Sequence, residues 1–126
     1  MSEATQDNCR FFGEWADEAE MLQSFGIYQR GGYVLPDMAG VRLLVVAYKC
    51  EGYEGDYCVL AVKDGKLLIN TGGHCSCNNP EWDPDETTPE KVRADWNEIN
   101  RDWGVCSLDG FHAALMAAVD AFEAIR

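Results

Sequence analysis

The sequence predicts an α+β fold: a three-stranded antiparallel meander, over about 41–50, 56–63 and 66–71, packed by an N-terminal helix and two C-terminal helices. Three observations predict it. The runs "VRLLVVAYK" and "YCVLAVK" are rich in β-branched and apolar residues and follow one another closely. Asp64-Gly65 then separates the second run from "KLLIN", and this dipeptide favours a two-residue hairpin because both turn positions need positive φ. Elsewhere, apolar residues recur at helical spacing.

Taken in order, residues 14–25, "EWADEAEMLQSF", place Trp15, Ala19, Leu22 and Phe25 on one helical face with acids on the other. The stretch "GIYQRGGYVLPDMAG" carries repeated glycines and a proline, so it is expected to be a loop with at most a short extended piece. Between the first two strands, "CEGYEGD" has the glycine for a bulge or a wide turn. Thr87 and Glu90 have capping-box spacing, and Pro89 is tolerated in a first helical turn. Val92, Trp96, Ile99 and Trp103 then form one stripe, which Gly104 is placed to stop. Ser107 can cap a last helix whose stripe is Phe111, Leu115, Val119, Phe122 and Ile125. Helices on one face of a small antiparallel sheet satisfy these stripes together.

The 126 residues are expected to form a single domain, with 47% apolar residues and four Trp, five Tyr and five Phe for its core. No apolar run approaches the ~20 residues of a membrane span, and "MSEATQDNCR" lacks a charged-then-apolar signal pattern. The expectation is a soluble intracellular protein whose six cysteines are thiols. Its net charge of −12 disfavours direct nucleic-acid binding and either suits a partner with a basic surface or simply keeps a small protein soluble; with no membrane span, no membrane partner is expected.

The stretch with the most chemistry is "TGGHCSCNNPEWDPDETTPE". His74, Cys75 and Cys77 are zinc-type ligands, and a tetrahedral site would need more from Cys50, Cys58, Cys106, His112 or Glu81. If strand geometry persists past Gly72 and Gly73, His74 points away from Cys75 and Cys77; a bend there would bring the three together. Set against this is plain packing: small thiols at a sheet edge, with His74 bonded to a loop carbonyl and Cys50 facing Cys58 on the neighbouring strand. The packing reading is preferred, with no cofactor. A redox pair is disfavoured because acids follow Cys77 and raise thiol pKa. A nucleophilic cysteine beside His74 or His112 lacks any nameable oxyanion hole, so a non-enzymatic role is expected.

Around Trp82 stand Glu81, Asp83, Asp85 and Glu86, without the spacing of a calcium loop. Acids before a helix N-terminus are favoured by its dipole. Trp82 either plugs the core or anchors an interface, and the core is preferred. Asp95, Glu98 and Asp102 fall near one face of the following helix, opposed partly by Arg101. With Glu81, Trp82, Asp83, Asp85 and Glu86 they make a candidate interaction surface, the alternative being a plain solvated helix face.

Residues 55–92, with His74, Cys75, Ser76, Cys77, Trp82, Pro84, Glu86 and Thr87, resemble a family of small phage-encoded proteins. In that family a "DGKLYEVN"-like hairpin leads into "GSHCSC", a Trp-Pro acidic loop and "EETT". This chain departs by a shorter Cys77–Trp82 loop, by "TGG" before His74 and by longer helical flanks. The resemblance implies a phage or prophage product acting in the host bacterial cytoplasm. Small acidic proteins of this kind bind host proteins, sometimes imitating nucleic acid, so a nucleic-acid-handling or defence factor is the expected partner. The alternatives are a metal-binding or thiol-active domain centred on "HCSC", and a virion component.

Overall fold

The computed structural model describes residues 9–29, 32–52, 54–75, 80–102, 105 and 108–125, the side chains of 27–29, 33 and 96–102 excepted. It is an α+β fold in which the long hairpins expected at 41–71 become the centre of a five-stranded mixed sheet. The strands are β1 (Arg10–Gly13), β4 (Val41–Glu51), β5 (Glu54–Lys63), β6 (Lys66–His74) and β7 (Asp85–Thr87), in that spatial order. β1 runs parallel to β4, and the other pairings are antiparallel. A separate hairpin, β2 (Ile27–Gln29) with β3 (Gly32–Val34), forms where the sequence suggested a loop.

The Asp64-Gly65 turn behaves as its chemistry requires, with φ of 54° and 75°. It closes β5 and β6 in the register Lys63↔Lys66, which continues without a break to Gly55↔His74. β4 and β5 pair to Glu51↔Glu54, so the expected wide turn is tight and both strands exceed their expected length. The bulge falls instead at Leu44, between the pairs Leu43↔Ala61 and Val45↔Leu60. It turns Leu44 and Val45 to the same face of the sheet. Cys50 and Cys58 do not face each other: Cys50 is opposite Gly55, and Cys58 is opposite Ala47.

The helices cover both faces of the sheet, not one. α2 (Pro89–Asp102) and α3 (Phe111–Ala124) pack Val92, Phe111, Leu115, Val119 and Phe122 on Val45, Ala47, Cys58, Leu60 and Leu67. Phe111, Leu115 and Val119 are fully buried, each worth about 1.5–3 kcal/mol of apolar transfer. Ile125, expected to finish that stripe, is instead 74% exposed. The opposite face carries Leu43, Val46, Tyr57, Val59 and Ala61, covered by α1 (Glu18–Phe25) through Met21 and Phe25. β1 serves both cores, sending Phe12 to one and Phe11 to the other, as strand alternation dictates.

Three helix starts differ from the sequence expectation. α1 begins after Asp17, whose carboxylate accepts the Glu20 N–H at 3.0 Å, so Trp15 precedes the helix and Ala19 is exposed. α2 is capped by Thr88, whose hydroxyl accepts the Lys91 N–H at 3.1 Å, while Thr87 ends β7. α3 starts after Gly110, which sits at φ 84°. Ser107, Trp103 and Gly104 lie outside the described residues, as do the side chains of Trp96 and Ile99.

Candidate functional site

The strand β6 persists through Gly72 and Gly73 to His74, so no bend gathers the "HCSC" side chains before the strand ends. Gly72, and Gly55 across the strand pair from His74, each have a steric cause. A Cβ on Gly72 would stand 2.7 Å from the Tyr57 hydroxyl, whose ring crosses the strand there. Gly55, opposite His74, lies under the meeting point of two side chains: its Cβ would stand 2.5 Å from His74 Nε2 and 2.9 Å from the Tyr48 hydroxyl. Over that gap Tyr48 and His74 hydrogen-bond at 2.7 Å.

The direction of that bond follows from the other ring nitrogen. His74 Nδ1 is 3.3 Å from the Cys75 carbonyl, which only accepts, so the tautomer that satisfies this contact carries its proton on Nδ1. Nε2 then accepts, and the Tyr48 hydroxyl donates to it. Tyr48 is a phenol suited to that role. Burial pushes its pKa up, and the neighbouring Cys50 sulfur and the charge of Glu14 push it further. Tyr48 is also the middle ring of a stack, 4.4 Å and 11° from Trp15 and 5.7 Å and 13° from His74. Trp15 donates its indole N–H to Ser24 at 2.8 Å.

Gly13 brings Trp15 over Tyr48. It takes φ 87°, and a Cβ there would collide with the Tyr48 carbonyl oxygen, to which the next residue donates its N–H at 2.9 Å. Beside the stack opens a shallow groove of about 340 Å³ lined by Glu14, Trp15, Glu20, Gln23, Ser24 and Tyr48. Its two carboxylates are oriented by backbone donors: Glu14 accepts from Cys50 N–H at 3.0 Å, and Glu20 from Ala16 N–H at 2.7 Å.

As a metal centre this region brings together less than the residue types suggested. Both His74 nitrogens have protein partners, and a metal at Nε2 would displace the Tyr48 hydroxyl. Among the described residues no three His, Cys, Asp or Glu side chains converge, and Cys77 and Cys106 lie outside those residues. Cys75 is half-buried where β6 ends. Cys58 is buried on the α2–α3 face, and His112 is exposed on α3. Cys50, two residues beyond Tyr48 on β4 and opposite Gly55, is the candidate extra ligand beside His74. Cys9 is distinct: burial first, then Glu18, pushes its thiol up to about 12.

The acidic stretch is held more firmly than its loop-like composition implied. Asn70 is only 4% exposed, and its amide donates to the Glu81 carbonyl at 3.0 Å and accepts the Asp83 N–H at 3.2 Å. Tyr57 bonds the Glu81 backbone through its hydroxyl, accepting from N–H at 3.2 Å and donating to C=O at 3.4 Å. Two polar side chains of the sheet thus serve residues 81–83 as a neighbouring strand would. The segment alternates accordingly. Glu81, Asp83 and Asp85 are exposed, while Trp82 and Pro84 are half-buried. Trp82 packs edge-on to Phe25 at 5.4 Å, in the α1 core.

Glu86 is exposed on the edge strand β7, next to Asp85. Asp95 is half-buried and pairs with Lys91 at 3.1 Å, so its charge is partly answered within α2. The side chains of Glu98 and Asp102 lie outside the description. Sequence reasoning missed Tyr48, Tyr57, Asn70 and Gly55, which position the segment and the histidine. Counting back from the Asp64-Gly65 turn pairs Gly55 with His74, so that signal was present. No helix among the described residues is long and apolar enough to cross a membrane. No family model matches the chain, and no curated protein or solved structure matches it either.

Proposed function

We propose that the protein is a non-enzymatic binding protein that engages a basic surface on another protein through the carboxylates of residues 81–86. In the phage setting that the sequence resemblance implies, the partner is a host nucleic-acid-handling or defence factor, and the carboxylates stand in for phosphates in its basic groove. One observation carries this reading. Glu81, Asp83, Asp85 and Glu86 are all exposed along a segment that Asn70 and Tyr57 fasten to the sheet. A fastened row of charges loses little conformational freedom on binding, whereas a floppy acidic loop would have to be ordered first. The surplus of 22 acids over 10 bases favours approach of a basic partner from any side.

Capture from host extract by the immobilised protein tests the proposal. The comparison is with a variant carrying Glu81→Gln, Asp83→Asn, Asp85→Asn and Glu86→Gln, at low and high salt. Basic proteins held by the wild type at low salt, and lost both in the variant and at high salt, are expected. The same proteins held by both baits at both salt concentrations would refute it.

A second reading, a metal or thiol centre on His74, Cys75 and Cys77 that would take zinc, has one observation in its favour: Cys50 lies beside the Tyr48–His74 pair. Native mass analysis before and after acid denaturation tests it. A mass excess of one metal ion, lost on denaturation and absent from a Cys75→Ser, Cys77→Ser variant, would support it.

A further inference from the structure

The start of β4 and the last turns of α3 bound an apolar groove of about 250 Å³. Leu44, Ala118, Ala121, Phe122 and Ile125 supply its apolar lining, and Arg42 supplies a guanidinium. The groove has a local cause. The bulge at Leu44 tilts the first residues of β4, and alanines at 118 and 121 leave open what larger side chains would fill. Ile125 stands 74% exposed beside it, although it is the residue that α3's apolar stripe would bury next.

Arg42 is the unexpected member. Among the described residues no carboxylate lies within ion-pair reach of it, in a chain with 22 acids and 10 bases. Arg93 of α2, by contrast, holds both Asp120 and Glu123 of α3 at 2.7 Å. A guanidinium that lines an apolar groove and has no acid partner among the described residues is complementary to a ligand with one anionic end and one apolar end.

We infer that this groove binds a small amphiphilic carboxylate, with its tail against Leu44, Ala118, Ala121 and Phe122 and its carboxylate on Arg42. The volume sits just below the range of about 300–1,000 Å³ for drug-sized ligands, which limits the tail to roughly six to ten carbons. The site is separate from residues 81–86 and does not depend on the binding role proposed for them.

Calorimetric titration with hexanoate, octanoate and decanoate tests the inference, with heptylammonium as the control of equal tail and opposite charge to octanoate. Each added methylene should tighten binding about fourfold until the groove is full. Octanoate should bind about tenfold more tightly than heptylammonium. This preference runs against the net charge of −12, so a local cation must supply it. Arg42→Gln should erase the preference. Ala121→Leu, at an exposed helical position, should abolish binding of both ligands while the helical circular dichroism is retained.

Equal affinity for the two headgroups in the wild type overturns the inference, and so does affinity independent of tail length. Octanoate binding undisturbed by Ala121→Leu overturns it as well. A concentration-dependent dimer that Ala121→Leu dissociates, with no octanoate bound, would overturn it in favour of a second copy of the chain in the groove.

Discussion

Replacing Gly55 with alanine gives a prediction whose sign separates two accounts of that residue. If Gly55 were an ordinary glycine in a strand, alanine would stabilise the protein by about 0.4–1 kcal/mol, because the unfolded chain loses freedom. Its φ does not lie in the left-handed region, so the backbone itself would accept the change. The side chains would not. The new methyl group would stand 2.5 Å from His74 Nε2, 2.9 Å from the Tyr48 hydroxyl and 3.0 Å from Tyr48 Cε1. Tyr48 is held from behind by Trp15 at 4.4 Å, so its ring has little room to retreat.

Breaking the Tyr48–His74 bond costs about 0.5–1.5 kcal/mol, and forcing a methyl group into packed rings costs about 1–3. Against the entropic gain, a net loss of about 1–3 kcal/mol is expected. Urea unfolding of the wild type, Gly55→Ala, His74→Ala and the double variant measures it. The double variant should lose less than the sum of the singles, because removing the imidazole relieves one of the collisions. A neutral or stabilising Gly55→Ala would refute the reasoning, and strict additivity would refute the His74 contact.

Three further outcomes follow from the same structure. Asn70→Leu, which keeps the volume and removes both amide bonds, should cost about 2–3 kcal/mol. It should also speed Glu-specific proteolysis between 81 and 86; unchanged protection there would contradict the fastening role. Cys9 has a folded pKa raised from 9.0 to about 12, so its contribution to stability is whole below pH 9 and is lost as pH rises towards 12. Alkylation of Cys9 at pH 8, read by peptide mass, should be slower in the folded protein than in urea; equal rates would contradict its burial. Thr88→Ala should lower stability by about 1 kcal/mol whereas Thr87→Ser should matter less at the cap, which unfolding of the two variants would reveal.

Much of this architecture was legible in the sequence where local chemistry decides it. Asp64-Gly65 fixed a turn, and the turn fixed a register over nine residue pairs. The short edge strands were not legible. "RFFG" and "DET" are too brief to show a period, and β1 finds its partner about 35 residues later in the chain. Helices on both faces follow from that pairing, since β1 leads into α1 on the side away from α2 and α3. Trp15 read as helical because its spacing to Ala19 and Leu22 fits a helix, yet Asp17 offered a better cap and ended the pattern. In the acidic stretch the residue types were visible but their fastening was not. It depends on Asn70 and Tyr57, which alternation alone would place in an apolar face.

The most direct test of the acidic surface is the salt dependence of affinity for the captured partner, measured for the wild type and for the variant neutralised at Glu81, Asp83, Asp85 and Glu86. The account predicts a steep loss of affinity with salt for the wild type, and a weaker, flatter dependence for the variant at unchanged stability. Identical affinities and identical slopes for the two proteins would contradict it.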